Sequence, residues 1–107
     1  MSQAPLTEAV LLVLVSLAEE PRNGYAIIKD VEQMTTGRVP MSTGTLFGAL
    51  QRLLEQGWIQ PVEEEESPRG RRVYRLTPVG RRNLKHEFAR MKDLTRIGNL
   101  RISRGRA

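Results

Sequence analysis

Residues 42–57 read STGTLFGALQRLLEQG and carry the clearest helical signal in the chain. The apolar residues of this segment recur with the spacing of one buried helical face, and they are Leu46, Ala49, Leu50, Leu53 and Leu54. Ser42 is a residue type that caps a first turn, and Gly57 readily adopts the left-handed conformation that ends a helix. The pattern predicts a helix from Thr43 to about Gln56 that packs inward along one side.

The other side of this helix is short, mostly uncharged and rich in hydrogen-bonding groups. It carries Thr43, Thr45, Gly48, Gln51, Arg52 and Glu55, with Phe47 at its margin. A purely solvated helix face usually holds more lysine and glutamate than this. Gly44 and Gly48 each cost about 1 kcal/mol relative to alanine, which indicates close approach of another backbone, although simple tolerance of glycine explains either one equally well. We expect this side to contact a partner, with plain solvation as the alternative.

Two further helices are predicted upstream. Thr7 caps the first, which covers residues 6–17 (LTEAVLLVLVSL) and is apolar in nearly every direction. Part of its surface is therefore expected to meet a second subunit, with deep burial inside one subunit as the alternative. Asn23 caps the second helix, which runs to about Thr36 and stops at Gly37. Its core stripe is predicted to be Ile27, Val31 and Met34.

The pattern changes after Gly57. Residues 58–63 and 72–76 favour strands, and the Pro- and Gly-containing segment between them predicts a hairpin. The hairpin tip is cationic because it holds Arg69, Arg71 and Arg72. Trp58, at the start of the hairpin, is expected to be a core residue.

A fourth helix is predicted from Pro78 to about Ile97, with Thr77 as its cap. Its apolar seam is expected to consist of Leu84, Phe88, Met91 and either Leu94 or Thr95. Gly98 and Asn99 weaken the helix, so residues 99–107 are expected to form a basic flexible tail.

Composition removes several classes of function. The 107 residues contain no cysteine and one histidine, His86, which excludes disulfides, thiolate nucleophiles and cysteine-ligated zinc. We therefore expect no metal, no cofactor and no enzymatic activity. The longest apolar run, Ala9 to Val15, is too short to cross a bilayer, and no secretory signal pattern surrounds it, so a cytoplasmic location is expected.

Positive charge is concentrated in the last quarter of the chain. Residues 81–107 hold nine Lys or Arg against two Asp or Glu, a net charge of +7, whereas residues 1–80 hold eight against ten, a net charge of −2. This asymmetry indicates attraction to a polyanion, either nucleic acid or an anionic membrane surface.

Three helices followed by a hairpin with a cationic tip have the order of a winged helix-turn-helix. The predicted fold class is mainly α with a small β-hairpin, as a winged helix-turn-helix plus a C-terminal dimerisation helix. In this fold the third helix enters the major groove of DNA, and arginines of the wing follow phosphates or the minor groove. The predicted units are residues 1–77 for DNA binding, 78–98 for dimerisation and 99–107 as the tail.

Several stretches resemble the PadR family of bacterial transcriptional regulators. The resemblance covers residues 6 to about 95 and is carried by residues 23–27 (NGYAI), 44–50 (GTLFGAL), 53–59 (LLEQGWI) and 74–81 (YRLTPVGR). It implies a winged helix-turn-helix, a homodimer built from the first and the C-terminal helix, and operator binding that usually represses a nearby promoter.

The chain departs from this family in two places on the third helix. Phe47 stands where the family commonly has tyrosine, and Gln51 stands where it often has lysine, so two attractions to phosphate are absent. Some relatives bind drugs or phenolic acids between aromatic residues at the dimer interface. Phe88 is the only aromatic residue of this C-terminal helix. The resemblance therefore identifies no small-molecule inducer.

The leading hypothesis is a sequence-specific DNA-binding transcriptional regulator, a repressor that acts as a homodimer on an inverted-repeat operator. Its expected partners are double-stranded DNA and a second copy of the chain, with a small-molecule inducer left open and no membrane. The predicted DNA contacts are Ser42, Thr43, Gly44, Thr45, Phe47, Gln51 and Arg52 on the third helix, and Tyr25, Lys29, Arg69, Arg71 and Arg72 on the second helix and the wing. The predicted dimer contacts are Leu12, Val13, Leu84, Phe88, Met91 and Leu94. The alternative is a winged-helix protein interaction module without specific DNA binding.

Overall fold

The computed structural model describes residues 6–62 and 72–105. Within these ranges the chain forms four helices and three short strands. In chain order they are α1 (Glu8–Glu19), β1 (Arg22–Asn23), α2 (Gly24–Thr35), α3 (Thr43–Glu55), β2 (Ile59–Val62), β3 (Val73–Leu76) and α4 (Pro78–Arg104). The predicted order of three helices, a hairpin and a further helix is confirmed, as is the mainly α class. In the described part of the chain, no helix combines the length and the apolar character needed to span a membrane.

Each helix begins at the residue that follows its predicted capping residue. The cap oxygen and the backbone amide that donates to it belong to Thr7 and Val10, Asn23 and Ala26, Ser42 and Thr45, and Thr77 and Gly80, at 2.8–3.2 Å. Each such bond pairs an amide that the first turn leaves free, and it stabilises the helix by about 1 kcal/mol.

The strands form one antiparallel sheet in the order β1, β3, β2. β2 and β3 are the predicted hairpin, in which Ile59 pairs with Leu76 and Val62 with Val73. β1 has no signal in the sequence, since it is two residues long and Asn23 both pairs with Val73 and caps α2. The sheet therefore ties the start of α2 to the wing.

The core lies between α1, α2, α3 and the sheet. Its fully buried apolar side chains include Val13, Leu14, Ile27, Val31, Leu46, Leu50, Leu53 and Ile59. Trp58 is buried as well, which confirms its predicted place in the core. Met34 was wrongly predicted to lie in the core, because it falls in the last turn of α2 beside the exposed turn at Thr36 and Gly37 and is 40% exposed.

α4 starts on a close contact with the turn that follows α3. The Thr77 amide donates to the Trp58 carbonyl oxygen at 2.9 Å, and the Thr77 hydroxyl donates to the Gly57 carbonyl oxygen at 2.7 Å. Gly80 is buried in the first turn of α4, where an added Cβ would overlap the Trp58 carbonyl oxygen. These contacts set the direction in which α4 leaves the body of the protein.

α4 continues for 27 residues, to Arg104, which corresponds to about 40 Å. The predicted end near Ile97 and the predicted flexible tail are therefore wrong for residues 99–104, which are helical. Gly98 costs about 1 kcal/mol relative to alanine and Asn99 less, which together are too little to stop this helix. Leu100 and Arg101 favour it, and Arg101 and Arg104 complement the dipole in its last turn. Because only Gly80 and Leu84 of α4 are buried, the helix projects from the body.

Candidate nucleic-acid interface

The start of α3 presents three exposed side chains with hydroxyl groups, those of Ser42, Thr43 and Thr45. Ser42 Oγ accepts a hydrogen bond from the Thr45 amide at 3.1 Å and donates its own proton to Thr45 Oγ1 at 2.9 Å. The Ser42 hydroxyl is thus occupied by the cap, whereas the Thr45 hydroxyl retains a proton to donate outward. Together with the positive end of the helix dipole, these donors suit a phosphate oxygen or a base edge.

Two glycines leave the α3 backbone bare on the same side. Gly44 and Gly48 are exposed, and an added Cβ at either position would meet no heavy atom within 4 Å. Neither has the positive φ that favours glycine. Among the glycines of the described residues, Gly37 and Gly57 have it. The fold therefore does not require these two glycines, although each weakens α3 by about 1 kcal/mol relative to alanine. This favours the interpretation that another backbone approaches α3 along this line.

Phe47 forms an apolar ridge beside the two glycines. Its side chain is 57% exposed and borders two shallow grooves of about 380 and 350 Å³. The first groove runs between α2, α3 and β3 and is also lined by Tyr25, Leu50, Arg72 and Tyr74. The second extends along α3 as far as Glu55. The exposed side of α3 therefore combines one large aromatic side chain with small and polar neighbours.

Two cationic side chains lie at or near the first groove, one from α2 and one from the segment before β3. Lys29 Nζ lies 5.3 Å from the centroid of the Tyr25 ring, whose side chain is 60% exposed on α2. This distance is typical of a cation–π contact, which holds the ammonium group at the surface. Arg72 is exposed just before β3 and lines the same groove. Positive charge therefore reaches this face from both α2 and the wing.

The structure brings together many of the residues that were predicted to contact DNA. Tyr25, Phe47 and Arg72 line one groove. The predicted residues Lys29, Ser42, Thr43, Gly44, Thr45 and Gln51 are exposed, and Arg52 is half-buried. Arg69 and Arg71 lie outside the described residues. Sequence reasoning did not find Tyr74, which is 9% exposed and lines both grooves, because its place beside α3 depends on the pairing of β3 with β1 and β2.

Two residues that were predicted to form the dimer interface lie instead in the core of the subunit. Val13 is 0% exposed, because it shares a buried stripe of α1 with Val10, Leu14 and Leu17 and α1 is contacted by α2, α3, β3 and α4. Leu84 is 4% exposed, since it belongs to the anchored start of α4. Neither side chain is available to a partner.

The other predicted interface residues retain exposed apolar surface. Phe88 and Leu94 are 45% and 61% exposed, while Met91 and Leu12 are half-buried. Three further apolar residues of α4 are exposed, namely Ile97, Leu100 and Ile102. Leu100 and Ile102 were not predicted as interface residues because they fell in the predicted flexible tail. An apolar surface therefore follows α4 well beyond the body of the protein.

Two arginines outside the α3 face make structural contacts. Arg38 donates two hydrogen bonds to the Glu8 carboxylate, the shorter of them 2.6 Å, and this pairing lowers the pKa of Glu8 and raises the pKa of Arg38. Arg22 Nε donates to the Ser16 carbonyl oxygen at 3.2 Å and so links β1 to the end of α1. Across residues 6–62 and 72–105, no three His, Cys, Asp or Glu side chains are grouped so as to hold a metal ion.

Residues 13–86 match the family model described as "Transcriptional regulator PadR-like family". The chain is 40% identical over 89 residues to an uncharacterized 37.1 kDa protein in transposon TN4556 of Streptomyces fradiae. That match covers 82% of this chain and 24% of the relative, so the chain spans about a quarter of the length of the curated relative that it matches.

Solved structures show the same arrangement of elements. A transcriptional regulator from Clostridium thermocellum is 28% identical with a TM-score of 0.73, and the match covers 84% of this chain and 88% of that chain. Bacillus subtilis PadR, solved in complex with operator DNA, is 18% identical with a TM-score of 0.68 over 78% of this chain and 48% of that chain. At that identity the second likeness shows the fold alone. The predicted winged helix-turn-helix fold is confirmed.

Proposed function

The chain belongs to the PadR-like family of transcriptional regulators, and on this premise we propose that it binds duplex DNA sequence-specifically as a homodimer and represses transcription in the cytoplasm. Because the family consists of regulators rather than enzymes, the prediction that the chain is not an enzyme is confirmed.

The observation that carries the proposal is the exposed face of α3. It combines a hydroxyl donor at Thr45, a bare backbone at Gly44 and Gly48, and cations from Lys29 and Arg72 at its margin. Short polar side chains allow a helix to lie close to base edges, and flanking cations neutralise phosphates. The operator complex of Bacillus subtilis PadR, on the same fold, supports this assignment.

The homodimer is supported by α4. This helix of 27 residues buries only Gly80 and Leu84 in its own subunit and exposes Phe88 and Leu94. A helix with such an apolar surface is stabilised when a second apolar surface covers it. A two-fold pair places two copies of α3 about 34 Å apart, one turn of DNA, so the proposal expects an inverted-repeat operator.

Selection from a random duplex pool with the purified protein tests DNA binding, symmetry and specificity together. We expect the selected sequence to be an inverted repeat. Binding should weaken steeply as salt is added, and the logarithm of the binding constant should fall with the logarithm of the salt concentration by a slope of about −0.9 for each phosphate contact. A reporter gene with the selected repeat across its promoter should be repressed when the protein is present. A protein that ignores every duplex at low ionic strength would contradict the proposal and favour an interaction module.

Two double variants and one control distinguish the exposed face of α3, which is proposed to read DNA, from the apolar surface of α4, which is proposed to form the dimer. Thr43→Ala combined with Gln51→Ala should weaken operator binding at least tenfold without changing the oligomeric state, whereas Ser103→Ala combined with Asn99→Ala, on exposed positions of α4, should leave affinity unchanged. Phe88→Glu combined with Leu94→Glu should give monomers by analytical ultracentrifugation. These monomers should retain the circular dichroism of the folded chain and bind a half-site only weakly.

A further inference from the structure

Phe47 is chemically unlike the rest of the α3 face. Its ring is 57% exposed, while the residues around it on the same side are Thr43, Gly44, Gly48 and Gln51, all of them small or polar. Neither glycine has a side chain to shield the ring, so Phe47 projects beyond its neighbours. A single exposed phenylalanine on an ordinary surface needs no explanation, but this one borders the exposed face of α3 that is proposed to read DNA.

Two core residues line the grooves on either side of Phe47. Leu50 and Tyr74, which line both bordering grooves with it, are 2% and 9% exposed and belong to the core. The Phe47 ring therefore stands out between two grooves whose walls include well-packed core residues.

The major groove offers few surfaces that match an apolar ring. Base edges present hydrogen-bond donors and acceptors, and the one apolar group among them is the 5-methyl group of thymine. A cytosine or purine at the same place would put a polar edge against the ring without a hydrogen bond, which is unfavourable. We infer that Phe47 is a specificity-determining residue that selects thymine in each operator half-site by packing against its 5-methyl group. This inference rests on the proposed function.

Replacing thymine by uracil in the selected operator tests the inference, since uracil pairs identically and lacks only the methyl group. With uracil in place of that thymine in one half-site, binding of the unaltered protein should weaken by about fourfold, and with uracil in both half-sites by about 15-fold. Phe47→Ala should bind the thymine and uracil duplexes equally, and selection with this variant should lose the preference for thymine at that position. Phe47→Leu, which keeps an apolar group, should retain part of the discrimination.

Gln51→Ala provides the matched control, because it removes a polar side chain one turn further along the same face. It should lower overall affinity while keeping the ratio between thymine and uracil duplexes. The inference is overturned if the unaltered protein binds its operator tightly and no thymine-to-uracil change affects it, or if Phe47→Ala keeps the full ratio. Failure to bind any duplex would instead overturn the proposed function, and the inference with it.

Discussion

Gly80, in the first turn of α4, packs so closely against the carbonyl oxygen of Trp58 that an added Cβ would overlap this oxygen and lie 2.9 Å from Leu76 Cδ1. The neighbouring Thr77 hydroxyl donates to the Gly57 carbonyl oxygen at 2.7 Å. The atom nearest to the added Cβ is thus a backbone oxygen of the turn after α3, which cannot give way as the end of a flexible side chain can.

Gly80→Ala should lower the free energy of unfolding by about 3 kcal/mol, because the methyl group can be accommodated only by moving the backbone. Urea denaturation measures the change. Gly44→Ala is the matched control, since it adds the same methyl group to an exposed helical position with open space and should raise the stability by about 1 kcal/mol. Equal effects of the two substitutions would show that the contact at Trp58 is not restrictive.

Gly44→Ala and Gly48→Ala should each make the protein more stable and a poorer DNA binder. The gain of about 1 kcal/mol reflects helix propensity, whereas affinity should fall at least threefold because the methyl group keeps a second backbone at a distance. Thermal unfolding and operator titration provide the two measurements. Asn99→Ala, on an exposed position of α4, should stabilise slightly without altering affinity. Unchanged affinity in both glycine variants would mean that nothing approaches α3 along this line.

Thr36→Gly should stabilise the protein by about 0.5 to 1 kcal/mol. Thr36 ends α2 with φ 52° and ψ 43°, a left-handed conformation that is unfavourable for a β-branched residue. Glycine adopts it without steric cost. The adjacent Gly37, with φ 76°, is the reciprocal test, because Gly37→Ala should destabilise by about 1 kcal/mol although the space around it is open. Denaturant midpoints that move in the same direction for both variants would contradict this account.

The ion pair of Glu8 and Arg38 should make the free energy of unfolding decrease slightly as the pH is lowered. The hydrogen bonds from Arg38 lower the pKa of Glu8 in the folded state, so the pair contributes fully above the unfolded pKa and loses its contribution as the pH falls through the folded pKa. In a carbon-detected NMR titration, the midpoint pH of the Glu8 carboxyl group should therefore lie below that of an ordinary glutamate. Arg38→Gln should raise this midpoint. Arg90→Gln, which removes another exposed arginine, should leave that midpoint unchanged.

The helix starts could be predicted from sequence because capping is local. At Thr7, Asn23, Ser42 and Thr77 the side chain meets an amide three residues further along the chain, so the residue type and the following apolar pattern were sufficient. The hairpin strands were predictable for the same reason, since short alternating segments on either side of a turn can pair directly.

Features that depend on distant elements were less accessible to sequence reasoning. A helix that is apolar all round does not reveal which side faces the core, and Val13 was therefore placed at an interface although α1 buries it completely. The groove beside Phe47 arises only when β3, with Tyr74, pairs next to the start of α2. The predicted end of α4 near Ile97 was wrong because the helix penalties at Gly98 and Asn99 are small, whereas Leu100, Arg101 and Arg104 beyond them favour the helix.

The anchoring of α4 at its first two turns makes the rest of this helix a lever. Beyond Leu84 about 30 Å of helix extend with no buried side chain, so a rotation of about 5° at the Gly80 joint would displace the far end by about 3 Å. In a pair of subunits joined through such arms, the spacing between the two copies of α3 would follow that angle. A change in the packing between Trp58 and Gly80 would then alter the half-site spacing that the protein prefers, although neither residue is proposed to contact DNA.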